Sequence, residues 1–310
     1  MRTRWPCSRR WAADGGIGTT WRPPGKMCVP APLARGRTIT TSAGGGMVPY
    51  LLDHPVELFA IVMLALLLAH ELGHRLRAWA RNRDDNDWEK EVHQARNQIA
   101  LLLSLLIGFA MSMALNRFDQ RKQLVIDEAN AIGTAYLRAG MQVESVRGEA
   151  QELLRDYADA RLAAFSRMSK IDEQSAEMKR ARQIQGELWK QATAAAQQTP
   201  TPIMGLYVSA LNDMIDLDAK RVAARRNRVP PDIWALMTVL AILTSLIIGY
   251  GQRRRAALVT FIPAFTVAIS MSLIADLDSP VHGLIQVSQQ SMQLLSDDLN
   301  KQFSAQPDQQ

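Results

Sequence analysis

The sequence predicts an all-α membrane protein: four membrane-spanning helices, with a long helical extramembrane insert between the second and third. Three observations carry this. Four apolar runs, at about residues 56–72, 99–115, 233–250 and 256–275, are each long enough to cross a hydrocarbon core of about 30 Å. Between the second and third lie over a hundred polar residues with helical periodicity and few prolines or glycines in the first two-thirds. No alternating, period-two stretch and no hairpin signal occurs anywhere in the chain.

The head comes first. Residues 1–46 hold eight Lys/Arg and one Asp, while the rest of the chain carries 28 Lys/Arg and 29 Asp/Glu. The formal charge of +6 therefore belongs to the head, and it gives no reason to expect a nucleic-acid partner. Cys7 and Cys28 also lie there, so the body offers neither a disulfide framework nor a cysteine metal site. The head lacks the apolar core of a secretory signal. Met47, just after Gly44-Gly45-Gly46, is the expected start of the body, with 1–46 read as a disordered or over-called leader.

Residues 47–116 hold the first two spans. The first, Val56 to Leu72, follows Pro55 and runs into His70-Glu71-Leu72-Gly73-His74. The second, Ile99 to Leu115, has no charge and ends at Asn116-Arg117. Leu101, Leu105 and Phe109 share one face at i, i+4 and i+8. Ser104, Gly108 and Ser112 form a small-residue seam beside it, which permits close approach of another helix. The apolar stripe could line a constriction or face lipid or core, and Asn116 and Arg117 read either as a pore-mouth pair or as a snorkelling helix stop.

Residues 117–231 form the extramembrane domain. Helices are expected over 123–139, 144–167, 172–198 and 203–228, with Gly140 and Thr199-Pro-Thr-Pro202 as breaks. In the first of these, Asp127 and Glu128 either face solvent or pair with Arg121, Lys122 or Arg138. Pro230-Pro231 opens the third span, since proline suits the first helical turn. Residues 232–276 hold spans three and four, with Pro263 an expected kink. Residues 277–310 read as an amphipathic segment and a polar tail. Asp276 and Asp278 could bind a cation or cap the helix end. Four spans place both termini and the insert on one side. The lysines and arginines of the short loops number nine, against eight at the membrane-facing ends of the insert, a slight lean toward short loops inside.

His70-Glu71-Leu72-Gly73-His74 is an H-E-x-x-H string, which on a helix puts two histidines on one face with a glutamate able to act on bound water. It is similar to site-2-type intramembrane metalloproteases, for which Asp276, Asp278 or His282 would have to supply the third ligand. The plainer reading makes His70, Glu71 and His74 interfacial residues where the helix leaves the bilayer. No phosphate loop, nucleophile constellation or cofactor motif is present.

The strings GFAMSMALNRFDQR (from Gly108), EANAIGTAYLRA (from Glu128), NDMIDLDAKR (from Asn212), RVPPDIW (from Arg228) and DLDSPVHGLIQVSQQSM (from Asp276) resemble the bestrophin-like family of bacterial membrane proteins, over about residues 54–299. More distantly the chain is similar to the bestrophin anion channels, through Gly108-Phe109 and the Asn116-Arg117-Phe118 exit. The resemblance implies a homo-oligomer, a pentamer, in a bacterial inner membrane, with a cytoplasmic insert, anions as the permeating partner and no cofactor. By position it places Leu101, Leu105 and Phe109 at a narrow apolar neck, with Asn116 and Arg117 at its mouth. The chain has no acidic cluster like the calcium clasp of animal bestrophins, so no calcium site is carried over. A cytoplasmic insert also opposes the loop-charge count. In this family the first-span exit keeps the glutamate and glycine but not the histidines, which favours the interfacial reading. The functional expectations are therefore an ion channel, a zinc protease, or a non-conducting scaffold or sensor.

Overall fold

The computed structural model describes residues 52–79, 86–166, 171–252, 256–279 and 283–304. The leader 1–46, Met47, His282 and Arg253–Arg255 lie outside these residues. In chain order the helices are α1 (Pro55–Trp79), α2 (Asn86–Gly140), α3 (Glu144–Ser166), α4 (Ile171–Gln198), α5 (Pro202–Arg226), α6 (Pro231–Gly251), α7 (Ala257–Asp278) and α8 (Gln290–Ser304). No strand occurs among the described residues. Helices α1, α2, α6 and α7 are the four elements long and apolar enough to cross a membrane.

These four pack as a square. α1 lies against α6 and α7, α2 lies against the same two, and α1 and α2 stand diagonally across the bundle with no close backbone approach among the described residues. The α1–α6 edge is the closest because glycine allows it. A Cβ on Gly73 would stand 2.0 Å from the Leu246 carbonyl oxygen, and one on Gly249 would stand 2.0 Å from that of His70. Ser245 Oγ donates to the Leu66 carbonyl at 2.6 Å across this contact, as polar side chains commonly do between membrane helices. On α2 the inward residues are Leu103, Ala110 and Ala114, at helical spacing; both alanines are fully buried against Met237, Met271 and Ile274. Pro263 sits inside α7 without ending it.

Past the apolar span, α2 does not stop. The helix stop that Asn116-Arg117 could mark does not occur: the helix expected over 123–139 is continuous with the span, and the N-terminal end of α2 reaches back to Asn86. Apolar positions at helical spacing on both sides of Asn116-Arg117, with no glycine or proline between, give the helix no reason to break there. At 1.5 Å per residue the rod is about 80 Å long. Its polar half is the spine of the insert, packed by α3, α5 and α8, while α4 completes the bundle against α3 and α5. The linker prolines act as read: α4 ends at Gln198, Thr201 Oγ1 accepts from the Met204 N–H at 3.1 Å, and Pro202 and Pro231 open α5 and α6.

Glu128, fully buried on α2, holds the insert together. It accepts from Arg161 Nε of α3 at 2.6 Å and from Arg221 Nη1 of α5. Arg161 also reaches Asp218 at 2.7 Å, and Arg221 Nη2 donates to Gln289 Oε1 at 2.6 Å. Glu128 therefore neither faces solvent nor pairs with Arg121, Lys122 or Arg138. Its partners sit 33 and 93 residues along the chain, out of reach of any local spacing rule. Removing one member of such a group leaves buried charge uncompensated, at about 3–5 kcal/mol.

This packing makes three predictions. Glu128→Gln should lower the melting temperature of purified protein by several degrees, whereas Gln123→Ala, on the exposed side of the same helix, should leave it within about a degree; equal effects would remove Glu128 from its structural role. Gly249→Leu should prevent stable folding, because the α1 backbone occupies the space. Gly148→Ala, at an exposed α3 site with nothing within 4 Å, should stabilise by about 1 kcal/mol.

Candidate functional site

The square leaves α2 with one side unpartnered, and that side is where the expected neck lies. Leu101, Leu105 and Phe109 are 69%, 55% and 60% exposed in the single chain. Ser104, Gly108 and Ser112 beside them are exposed too, and a Cβ on Gly108 would meet nothing within 4 Å. The outward sides of α1, α6 and α7 are exposed as well, through residues such as Leu64, Leu68, Val239, Ile262 and Ile269, a coat suited to lipid. The α2 face differs because it mixes bulky apolar residues with glycine and serine.

It also differs in length. At 100° per residue the side holding Leu101 and Leu105 returns at Asn116, Asp119 and Gln123, then at Asn130, Thr134 and Leu137. Each of these is exposed. One open face therefore runs from the apolar span into the polar half without changing sides. Glu128, Arg121 and Val125 stand on the opposite side and are buried.

Asn116 and Arg117, expected as a pair, point to different surroundings. Asn116 is on the open face. Arg117 turns inward, 3.8 Å from Asp278. It belongs to a polar knot joining all four membrane helices at this end. Asp278 accepts the Val229 N–H on both carboxylate oxygens at 3.0 Å. Arg121 Nη2 donates to the Leu277 carbonyl at 2.5 Å, and Arg228 reaches Asp53 at 2.7 Å. Asp276 accepts the Leu284 and Ile285 N–H groups at 2.5 and 3.1 Å, which reverses the chain after α7. A Cβ on Gly283 would stand 2.6 Å from an Asp276 oxygen, so the reversal requires glycine there. Asp276 and Asp278 thus spend their oxygens on backbone N–H groups and arginine.

His70, Glu71 and His74 lie at the other end of the bundle, in a cleft of about 430 Å³ bounded by Leu67, Gln252, Thr260 and Phe261. His70 Nε2 is 2.9 Å from Thr260 Oγ1 and 3.2 Å from Gln252 Oε1. Glu71 pairs with Arg75 at 3.0 Å. Asp276 and Asp278 sit beside the N-terminal end of α1, about four helical turns from His70, so neither can complete a zinc triad with it. The described residues contain no group of three or more His, Cys, Asp or Glu arranged to hold a metal, and His282 is outside them.

Compared with known proteins, the chain matches the family model of the Bestrophin-like domain over residues 60–292. No curated protein and no solved structure matches it. The match spans α1 from residue 60, the other three apolar helices, the whole insert and all of the polar knot except Asp53, well over half of the 310 residues. The chain belongs to the bestrophin-like family of membrane proteins.

Proposed function

We propose that the protein is the subunit of a homo-oligomeric ion channel of the bacterial inner membrane, with α2 lining the pathway and the insert on the cytoplasmic side. The observation that carries this reading is the continuous open face of α2. A face exposed only within the apolar span could be covered by lipid. This one continues past the span into the polar half, where lipid cannot cover it, and it keeps a small-residue seam along its apolar part. Copies of the chain arranged around an axis would meet through it.

In that arrangement Leu101, Leu105 and Phe109 form successive apolar rings. A narrow apolar constriction empties of water and blocks ions until it widens. Asn116 and the polar residues that follow it line the wider part. Arg117, held by Asp278, supports the mouth from behind rather than lining it. The distant resemblance to the bestrophin anion channels would make anions the permeating species. Asp119, exposed on the same face, opposes them at the mouth, because carboxylate rings favour cations.

Planar-bilayer recording of the purified oligomer tests the reading. Leu101, Leu105 and Phe109 replaced together by alanine should raise single-channel conductance severalfold over the unaltered protein. Silence of both proteins would leave the scaffold reading standing instead. Asp119→Asn should move the reversal potential in a salt gradient toward that of anions, and no movement would take Asp119 out of the pathway. Gly108→Leu meets nothing within the single chain, so the subunit should fold with its usual helix content while the oligomer dissociates in detergent; an intact oligomer would contradict the seam.

A further inference from the structure

The buried side of α2 carries more cation than the surrounding carboxylates balance. Arg121, Arg161, Arg221 and Arg225 converge around Phe165, whose ring centre lies 3.5 Å from the Arg221 guanidinium, 4.1 Å from that of Arg225 and 5.1 Å from that of Arg161. Glu128 and Asp218 answer Arg161 and Arg221. Arg121 is near Asp278, but that carboxylate also faces Arg117 and Arg228. Among the described residues, two positive charges in the cluster are left without a carboxylate of their own.

The donors are also unfilled. Arg121 is 6% exposed. Only its Nη2 is spent, on the Leu277 carbonyl, and its Nε and Nη1 are buried without a hydrogen-bond partner. Arg225 Nη2 is buried and unpartnered as well. Arg121, Arg221 and Arg225 line one small, partly open cavity with Val125, Phe165, Val287 and Gln289, with room of about 30 Å³ for the centre of a water-sized sphere. That is enough for one or two water-sized particles. Burial and the neighbouring Arg221 and Arg161 push the Arg225 guanidinium down to about 10, which still leaves it charged at neutral pH.

Buried charge without a partner is costly, and guanidinium groups withdrawn from bulk water bind anions strongly. We propose that this cavity holds a resident halide-sized anion, chloride in the cell, which completes the charge balance between α2, α5 and the 283–289 segment. The site is on the side of α2 opposite Leu101 and Leu105, so the inference does not depend on conduction. The room among the three guanidinium groups matches a monatomic anion; phosphate would have to extend through the open side of the cavity.

The test is thermal unfolding of the full chain in detergent, in sodium chloride, bromide, phosphate or gluconate at constant ionic strength. Chloride and bromide should raise the melting temperature saturably by several degrees over gluconate, as binding to the folded state alone requires. Arg225→Gln should raise the half-saturating chloride concentration at least tenfold, while Arg226→Gln, on the exposed side of α5, should not change it. If Arg225→Gln fails to fold, anomalous diffraction from bromide-grown crystals of the unaltered protein should show a peak between Arg121 and Arg225. Equal melting in chloride and gluconate, an unchanged chloride response in Arg225→Gln, or no bromide peak would overturn the site. Stabilisation by phosphate in preference to chloride would overturn the halide assignment.

Discussion

The constraint on which the structure depends is the continuity of α2. A helix that crosses the bilayer and then carries on as the spine of the insert makes one rigid body of what would otherwise be two domains on a hinge. Its inward side must satisfy two solvents in succession. Within the span that side is Leu103, Ala110 and Ala114, small and apolar. Beyond the span it is Arg121, Glu128 and Ile132, buried among protein groups instead of lipid-facing helices. The outward side changes from apolar to polar at the same point but keeps its orientation. The apolar span of α2 and its polar half in the insert are coupled by the stiffness of a single rod.

The change of solvent is managed by charges, each tied to more than one element. Asp278 joins α7 to the start of α6 and to α2, Asp53 joins the segment before α1 to Arg228, and Glu128 joins α2 to α3 and α5. Buried ion pairs of this kind are poor sources of net stability but strong selectors of one arrangement, since any misregister strands a charge. Around Phe165 the described arginines outnumber the carboxylates that answer them.

The sequence made the large elements legible and the polar core opaque. Four apolar runs of spanning length, the prolines at 200, 202, 230 and 231 and the helical spacing of the insert determine the fold class, because each rests on a local physical rule. The open side of α2 was visible as the Leu101, Leu105 and Phe109 spacing with its Gly108 seam, although spacing alone could not say that this side would be left unpartnered; that follows from α6 and α7 taking the other sides. Of the two readings of Asn116-Arg117 the helix stop does not hold, because a change of solvent is not a change of helix propensity. Glu128, Arg161 and Arg221 could not have been paired by spacing, as they stand on three helices. Arg117 was read with Asn116 because they are neighbours in sequence, yet adjacent helical residues point about 100° apart, and the structure turns one outward and the other toward Asp278.

The central claim is that α2 meets its own copies around an axis, and distances between copies test it most directly. Because Cys7 and Cys28 are the chain's only cysteines, spin labels can be placed singly once both are replaced by serine. Electron–electron resonance on membranes containing protein labelled at Leu137, on the open face, should give short, discrete inter-subunit distances. A label at Leu68, on the diagonally opposed α1, should give distinctly longer ones. Distances at Leu137 equal to or longer than those at Leu68, or no inter-subunit signal at either, would contradict the account.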